Sequence, residues 1–384
     1  MQSIGVSKMN TKSDQEIYNY WIGGFFNFSA KKILAILNLF GSSKELFYAS
    51  DKAMEEMCNI CSKKGVRITK RDMELLKSRR DINLLMKSLE YLKEHSIDYV
   101  TLLDNTYPDK LRHIYNPPFL LYLKGNPFPV HKKAIAIIGA RECSAYGKEI
   151  ARNLAGALAR EDIVIISGLA RGVDSYAHQG CLLVEGSTYG ILGCGIDICY
   201  PKENINIYMD MQKKGGVISE YGPGIKPLAY NFPMRNRIIS ALSDGIVIIE
   251  AREKSGSLIT VDMGLDQGKN IYAVPGRITD KLSMGCNNLI KMGAKVVTSP
   301  QDILEDFSYY CSRAKSDEKD LNIILNKEEE AIYNLLSLNP RHIDQLVDLS
   351  GISIDKLMEY LLSLELKNFV DQPRKNYYIR KEVW

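Results

Sequence analysis

Between Lys133 and Asp306 the chain repeats one pattern, a short apolar run rich in β-branched residues, a glycine or polar loop, and a helix-length segment. The runs are "AIAIIG", "IVIISG", "TYGILG", "GVISE", "GIVIIEA" and "NIYAVPG", with "AKVVT" as a candidate seventh. None alternates apolar with polar residues, as a strand with one wet face would. Each therefore reads as a strand buried on both faces, and alternation with helices makes such strands parallel. This confines the region to an open, doubly wound α/β sheet. Ligands of such sheets bind outside the carboxyl ends of the strands, so the loops that follow the runs are where function is sought.

The flanking regions differ. From Ile17 to Leu89 short amphipathic segments such as "AKKILAILNLF" and "TKRDMELLKS" predict a small helical domain, taken as residues 1–105 and of SAM or helix-hairpin-helix type. In "YPDKLRHIYNPPFLLYLKGN" the prolines forbid long helices, and "FLLYLKG" reads as a strand that leads into the α/β domain, residues 106–310. The charged stretch "SRAKSDEKDLN" marks a linker, 311–326. Residues 327–384 show three helices and a hairpin with a basic turn at Arg374 and Lys375, a winged-helix-like domain. Its third helix sets Lys356 and Lys367 against Asp355, Glu359 and Glu365, which favours protein contact or weak DNA contact over groove reading, with the basic turn the feature that keeps DNA contact open.

Three loops combine small residues with a helix start. "IIGARECSAYG" brings Gly139, Arg141 and Ser144 to a helix beginning near Ala145. "ISGLARGVDSYAH" supplies Ser167, Gly168, Arg171 and Gly172. "IIEAREKSGSLIT" places Ser255, Gly256 and Ser257 before a helix starting near Leu258. Each is consistent with an ordinary cap and with an anion site, because free amides at a helix N-terminus attract negative charge. "NFPMRNRIIS" sets Arg235, Asn236 and Arg237 at an expected first helical turn, where cations are disfavoured unless something outside the helix compensates. Asp174 and His178 at i, i+4 spacing are either a catalytic or a structural pair.

Composition excludes more than it assigns. With 45% hydrophobic and 25% charged residues and a net charge of +4, the chain is an ordinary globular protein whose basic surface must come from local clustering. No run approaches a membrane span and the start lacks a signal-peptide core, so a cytoplasmic protein is expected. Cys143, Cys194 and Cys199 suit reduced thiols, and Cys58 and Cys61 lack the further ligands a zinc site needs. There is no G-x-G-x-x-G, Walker or metal-ligand pattern, so no cofactor, no metal and binding without turnover are expected.

The motifs "IIGARECSAYG", "ISGLARGVDSYAH", "LGCGIDICYP", "SEYGPG", "FPMRNRIISALSDGIVIIEAREKSGSLIT" and "AVPG", in this order, resemble the DNA-processing protein A family (DprA, also called Smf) over roughly Tyr107 to Asp306. The resemblance implies a Rossmann-like domain that binds single-stranded DNA, protects incoming strands in natural transformation and helps load the recombinase RecA, commonly as a dimer. Carried over, the strand-binding pocket comprises Gly139 and Arg141, then Ser167, Gly168 and Arg171, then Phe232, Arg235, Asn236 and Arg237, then Ser255 to Ser257. Ser144 and Gly172 join them as candidate phosphate contacts, as does Lys269, which stands where the family commonly has arginine. Ala241 replaces a usual glycine.

Phe232, with Tyr230 or Tyr221, would offer a face to a base, or else pack in the core. One of Arg235 and Arg237 is expected to pair with Glu250 or Asp244. Two other readings stay open: a nucleotide-binding sensor or N-glycosidase in which Glu250 acts as acid or base, and a transcription-type reader using the winged helix.

Overall fold

The computed structural model describes residues 14–25, 28–307, 325–337, 339–367 and 369–381. They fall into two compact units, divided between Ile303 and Leu304. The expected linker lies outside the described residues except for Leu325 and Asn326.

Among the described residues of the first unit, six helices come first: α1 (Asp14–Gly23), α2 (Ala30–Phe40), α3 (Ser43–Tyr48), α4 (Asp51–Lys63), α5 (Lys70–Ser78) and α6 (Ile82–Glu94). Serine, threonine or aspartate side chains cap α2 to α6, with a full capping box at Thr69 and Asp72. Strand β1 (Ile97–Thr101), the short helix α7 (Asp109–Arg112) and β2 (Leu120–Gly125) follow. The ring of Tyr20 on α1 lies 4.7 Å from that of Tyr99 on β1 and 6.2 Å from that of Tyr122 on β2. The helices thus share one apolar core with the sheet. The division expected at residue 105 does not separate compact units, because the helices bury their apolar faces on the strands that follow.

The doubly wound part runs β3 (Ala134–Ile138), α8 (Ala145–Arg160), β4 (Val164–Ser167), α9 (Val173–Leu183), β5 (Thr188–Leu192), α10 (Ile205–Lys214), β6 (Gly216–Ser219), α11 (Asn231–Leu242), β7 (Gly245–Ile248), α12 (Gly256–Asp266), β8 (Asn270–Ala273), α13 (Met284–Lys291) and β9 (Lys295–Val296). The sheet order is β1-β2-β6-β5-β4-β3-β7-β8-β9. All seven runs read from sequence are strands, and β3 to β9 pair in parallel. Every residue of β3 to β7 is buried, as strands covered on both faces must be. β2 and β1 extend the sheet antiparallel. The winding reverses at β3, since β4, β5 and β6 build outward on one side and β7, β8 and β9 on the other. The crevice beyond the carboxyl ends of β3 and β7 is therefore the topological switch point.

α14 (Gln301–Leu304) ends the region, and the second unit follows with α15 (Lys327–Leu335), β10 (Arg341–His342), α16 (Ile343–Ser350), α17 (Ile354–Leu366), β11 (Val370–Arg374) and β12 (Tyr377–Arg380). A three-stranded sheet, β10-β12-β11, packs with the three helices around Ile332, Leu346, Leu357, Leu361 and Tyr378. This is a winged helix. Among the described residues no helix is long and apolar enough to cross a membrane.

Candidate functional site

A cavity of about 450 Å³ opens at the switch point. Its floor is the β3–α8 loop (Ile138 to Glu142), one wall is α11 (Phe232, Pro233, Arg235, Asn236, Ile239), and the other is the β7–α12 loop with the start of α12 (Arg252, Lys254 to Ser257, Ile259 and Thr260). Loops fit closely here. Ala140 N donates to Glu250 O at 2.7 Å, and a Cβ on Gly139 would stand 2.7 Å from Val173 Cγ2. Gly172 has φ 76°, and a Cβ there would meet Ala140 O at 2.2 Å. Its role is to let the β4–α9 loop lie against the β3–α8 loop.

Of the three helix N-termini singled out in the sequence, two are already occupied from within. Glu250, buried at the end of β7, accepts from Ser144 N at 2.8 Å and from the Ser144 hydroxyl, which in turn caps Gly147 N. The carboxylate thus supplies the negative charge that the start of α8 favours. It also turns inward, away from the cavity, which removes the acid or base of the glycosidase reading. Before α9, buried Asp174 accepts from Gly168 N at 3.0 Å and Ala170 N at 3.4 Å. Only the start of α12 faces the cavity open. Ser255 caps it and touches the Ser257 hydroxyl at 2.7 Å, while nothing lies within 4 Å of where a Gly256 Cβ would be.

The arginines of "NFPMRNRIIS" are not where the sequence suggested. α11 begins at Asn231 with Pro233 in its first turn, where a missing N–H costs nothing. Arg235 and Arg237 therefore fall in the second turn, beyond the strongest terminal field, and both are buried. Arg235 Nη1 donates to Gly168 O at 2.8 Å and to Ile191 O, tying the ends of β4 and β5 to α11. A Cβ on Gly168 would lie 2.6 Å from Arg235 Nη2 and 2.8 Å from Asp174 Oδ2, so glycine is required where both side chains crowd this position. Burial lowers the Arg235 pKa to about 10 and raises that of Asp174, with each charge partly restoring the other. Arg237 pairs with neither Glu250 nor Asp244. Its Nη2 reaches both oxygens of Glu220 at 2.7 and 2.8 Å, and its Nε donates to Asn116 O at 3.1 Å. Asp244 is held instead by Lys110 at 2.7 Å.

Other expected contacts also point elsewhere. Ser167 is buried and its hydroxyl donates to Ile137 O at 2.6 Å. Arg171 is exposed but paired with Glu203 at 2.6 Å, outside the cavity lining. Lys269 precedes β8, at the amino ends of the strands, and donates to Ala241 O at 3.1 Å; burial lowers its pKa. His178 and Asp174 do not form a pair. Thr188 gives its proton to Ile165 O, so His178 Nδ1 must donate to the Thr188 oxygen at 2.7 Å, and burial pushes the imidazole down to about 3. A base so buried and protonated on that nitrogen is structural.

What remains at the cavity is coherent. Arg141 is exposed, its Cζ 6.0 Å from the Phe232 ring centroid. Phe232 is half-buried: one side rests on Gly193, whose Cβ would meet the ring at 2.7 Å, and Tyr200 lies 5.5 Å away. Phe232 thus packs on one side and leaves the other part of its ring exposed. Asn236 accepts from Arg235 Nε at 3.2 Å. Arg252 and Lys254, exposed on the β7–α12 loop, add two cations that the sequence reading passed over in "EAREKSGS" while attending to its hydroxyls. Arg252 meets Glu142 only at 3.9 Å, a loose exposed pair worth little. Three exposed cations, an open helix N-terminus and an aromatic ring make a cleft suited to phosphates and a base.

Residues 98–308 match the model of the family described as DNA recombination-mediator protein A, and residues 316–373 match that of the DprA winged helix domain. The chain is 43% identical over 209 residues to the DNA processing protein DprA of Streptococcus pneumoniae, a match covering 54% of this chain and 74% of that protein. It is 39% identical over 223 residues to DprA of Bacillus subtilis, covering 58% and 75%. The X-ray structure of DprA from Streptococcus pneumoniae superposes with a TM-score of 0.63 at 33% identity, covering 76% of this chain and 97% of that one. A structure of DprA from Helicobacter pylori, described as giving insight into its single-stranded DNA binding mode, superposes with a TM-score of 0.50 at 31% identity, covering 55% and 95%.

Proposed function

The chain belongs to the DNA recombination-mediator protein A family, and from that premise we propose that it binds single-stranded DNA, protects incoming strands during natural transformation and helps load RecA onto them. It does so in the cytoplasm as a homodimer and without turnover. The observation that carries the reading is the switch-point cavity, where the open start of α12 and the cations Arg141, Arg252 and Lys254 surround the half-exposed face of Phe232. Phosphates sit against the cations and the Gly256 amide. A base lies on Phe232, a contact every base can make, so binding is nearly indifferent to sequence.

Arg252→Ala with Lys254→Ala tests this reading, because both side chains are exposed and their loss leaves the fold intact. Removing two phosphate contacts lowers the salt dependence of oligothymidine binding, log K against log salt, by about 1.4, at roughly 0.7 per contact for a single strand. An unchanged slope in a variant with unchanged circular dichroism would overturn it.

A further inference from the structure

The third helix of the winged helix, α17, carries an outer face that a DNA-reading helix would not. Leu357, Leu361 and Leu364 are buried in the unit's core, yet Ile354, Met358, Leu362 and Leu366 are 48%, 45%, 57% and 81% exposed. Their i, i+4 spacing makes one continuous ridge. At about 100° per residue, Ile354, Asp355, Met358, Glu359, Leu362, Glu365 and Leu366 occupy an arc of about 140° beside the core-facing leucines. That arc holds four large apolar side chains and three exposed carboxylates. It holds no cation: Lys356 and Lys367 project on the opposite flank, where Lys367 is bound to Glu329 at 2.6 Å. Phosphates would be repelled from this face, and exposed apolar ridges of this length mark contact surfaces.

We propose that the α17 face docks a partner protein through an amphipathic helix bearing an apolar stripe flanked by lysine or arginine. An i±4 ridge packs into the groove of a second helix, and Asp355, Glu359 and Glu365 along it select basic flanks. A second copy of the same face would set carboxylate against carboxylate. The proposal is independent of the DNA site, which lies in the other unit.

The test uses the full chain and a short synthetic helix with leucines at i, i+4 spacing and lysine flanks, labelled for fluorescence anisotropy. Binding is expected, with Glu359→Lys plus Glu365→Lys weakening it about tenfold or more, since each reversed charge turns attraction into repulsion. Leu362→Glu should weaken it comparably, and a glutamate-flanked peptide should bind far less well than the lysine-flanked one. All these substitutions are at exposed positions, and oligothymidine affinity serves as the control for the intact first unit. The proposal is overturned if the lysine-flanked peptide does not bind, if the charge reversals leave its affinity unchanged, or if Leu362→Glu instead dissociates an oligomer of the chain.

Discussion

Replacing Arg235 by alanine separates a structural arginine from a DNA-binding one. Arg235 is 4% exposed, its guanidinium bonds the carbonyls of Gly168 and Ile191, and its charge acts on the buried carboxylate of Asp174. Alanine would remove the shared donor of two carbonyls and the cation whose charge offsets that of Asp174. A hydrogen bond to a charged group contributes about 1.5–3 kcal/mol, so losing the guanidinium's bonds to the two buried carbonyls costs about 3–6 kcal/mol. Urea unfolding followed by circular dichroism should therefore show the first unit destabilised by that amount. Arg235→Lys should recover only part of it, because an ammonium cannot reproduce the planar group that serves Gly168 O, Ile191 O and Asn236 Oδ1 together. A loss below about 1 kcal/mol, accompanied by loss of oligothymidine affinity, would refute the reasoning: Arg235 would then be a ligand to phosphate and not a strut.

Gly172→Ala should destabilise the first unit by at least about 2 kcal/mol in the same unfolding experiment, from a backbone conformation that only glycine adopts readily together with a Cβ set 2.2 Å from Ala140 O. In the winged helix, hydrogen bonds from Lys367 and Ser363 hold Glu329 down to about 2 from an ordinary 4.5. A carboxylate with a depressed folded pKa contributes stability that is present above pH 4.5 and lost as pH falls toward 2. Thermal unfolding of the second unit should lose stability across that window, and Glu329→Gln should flatten the loss. The paired Arg252 and Lys254 replacements described above complete the set, with a lower salt slope as their expected signature.

The fold was legible because burial on both faces leaves a clear mark, and "AIAII", "VIIS" and "GIVI" carry no polar alternation. β1 was missed for the opposite reason. "IDYVT" is a short edge-side strand with alternating exposure that follows a helical pattern with no proline or glycine between them. In the site, the small-residue loops were found, but which helix start is open could not be read. The answer depends on Glu250 reaching Ser144, 106 residues away in sequence, and on Asp174 turning back to Gly168. The same holds for the arginines. Arg235 and Arg237 look like ligands until Gly168, Ile191, Asn116 and Glu220 come together around them, whereas Arg252 and Lys254 stay exposed at the cavity. A cation's destination is a tertiary property.

The most direct test of the account is a salt titration of binding to oligothymidine and to a duplex of equal length, with the chain's oligomeric state measured in the same buffer. The account predicts a dimer whose affinity for the single strand exceeds that for the duplex at every salt concentration and falls linearly in log K against log salt. Equal affinity for both, or single-strand binding insensitive to salt, would contradict it.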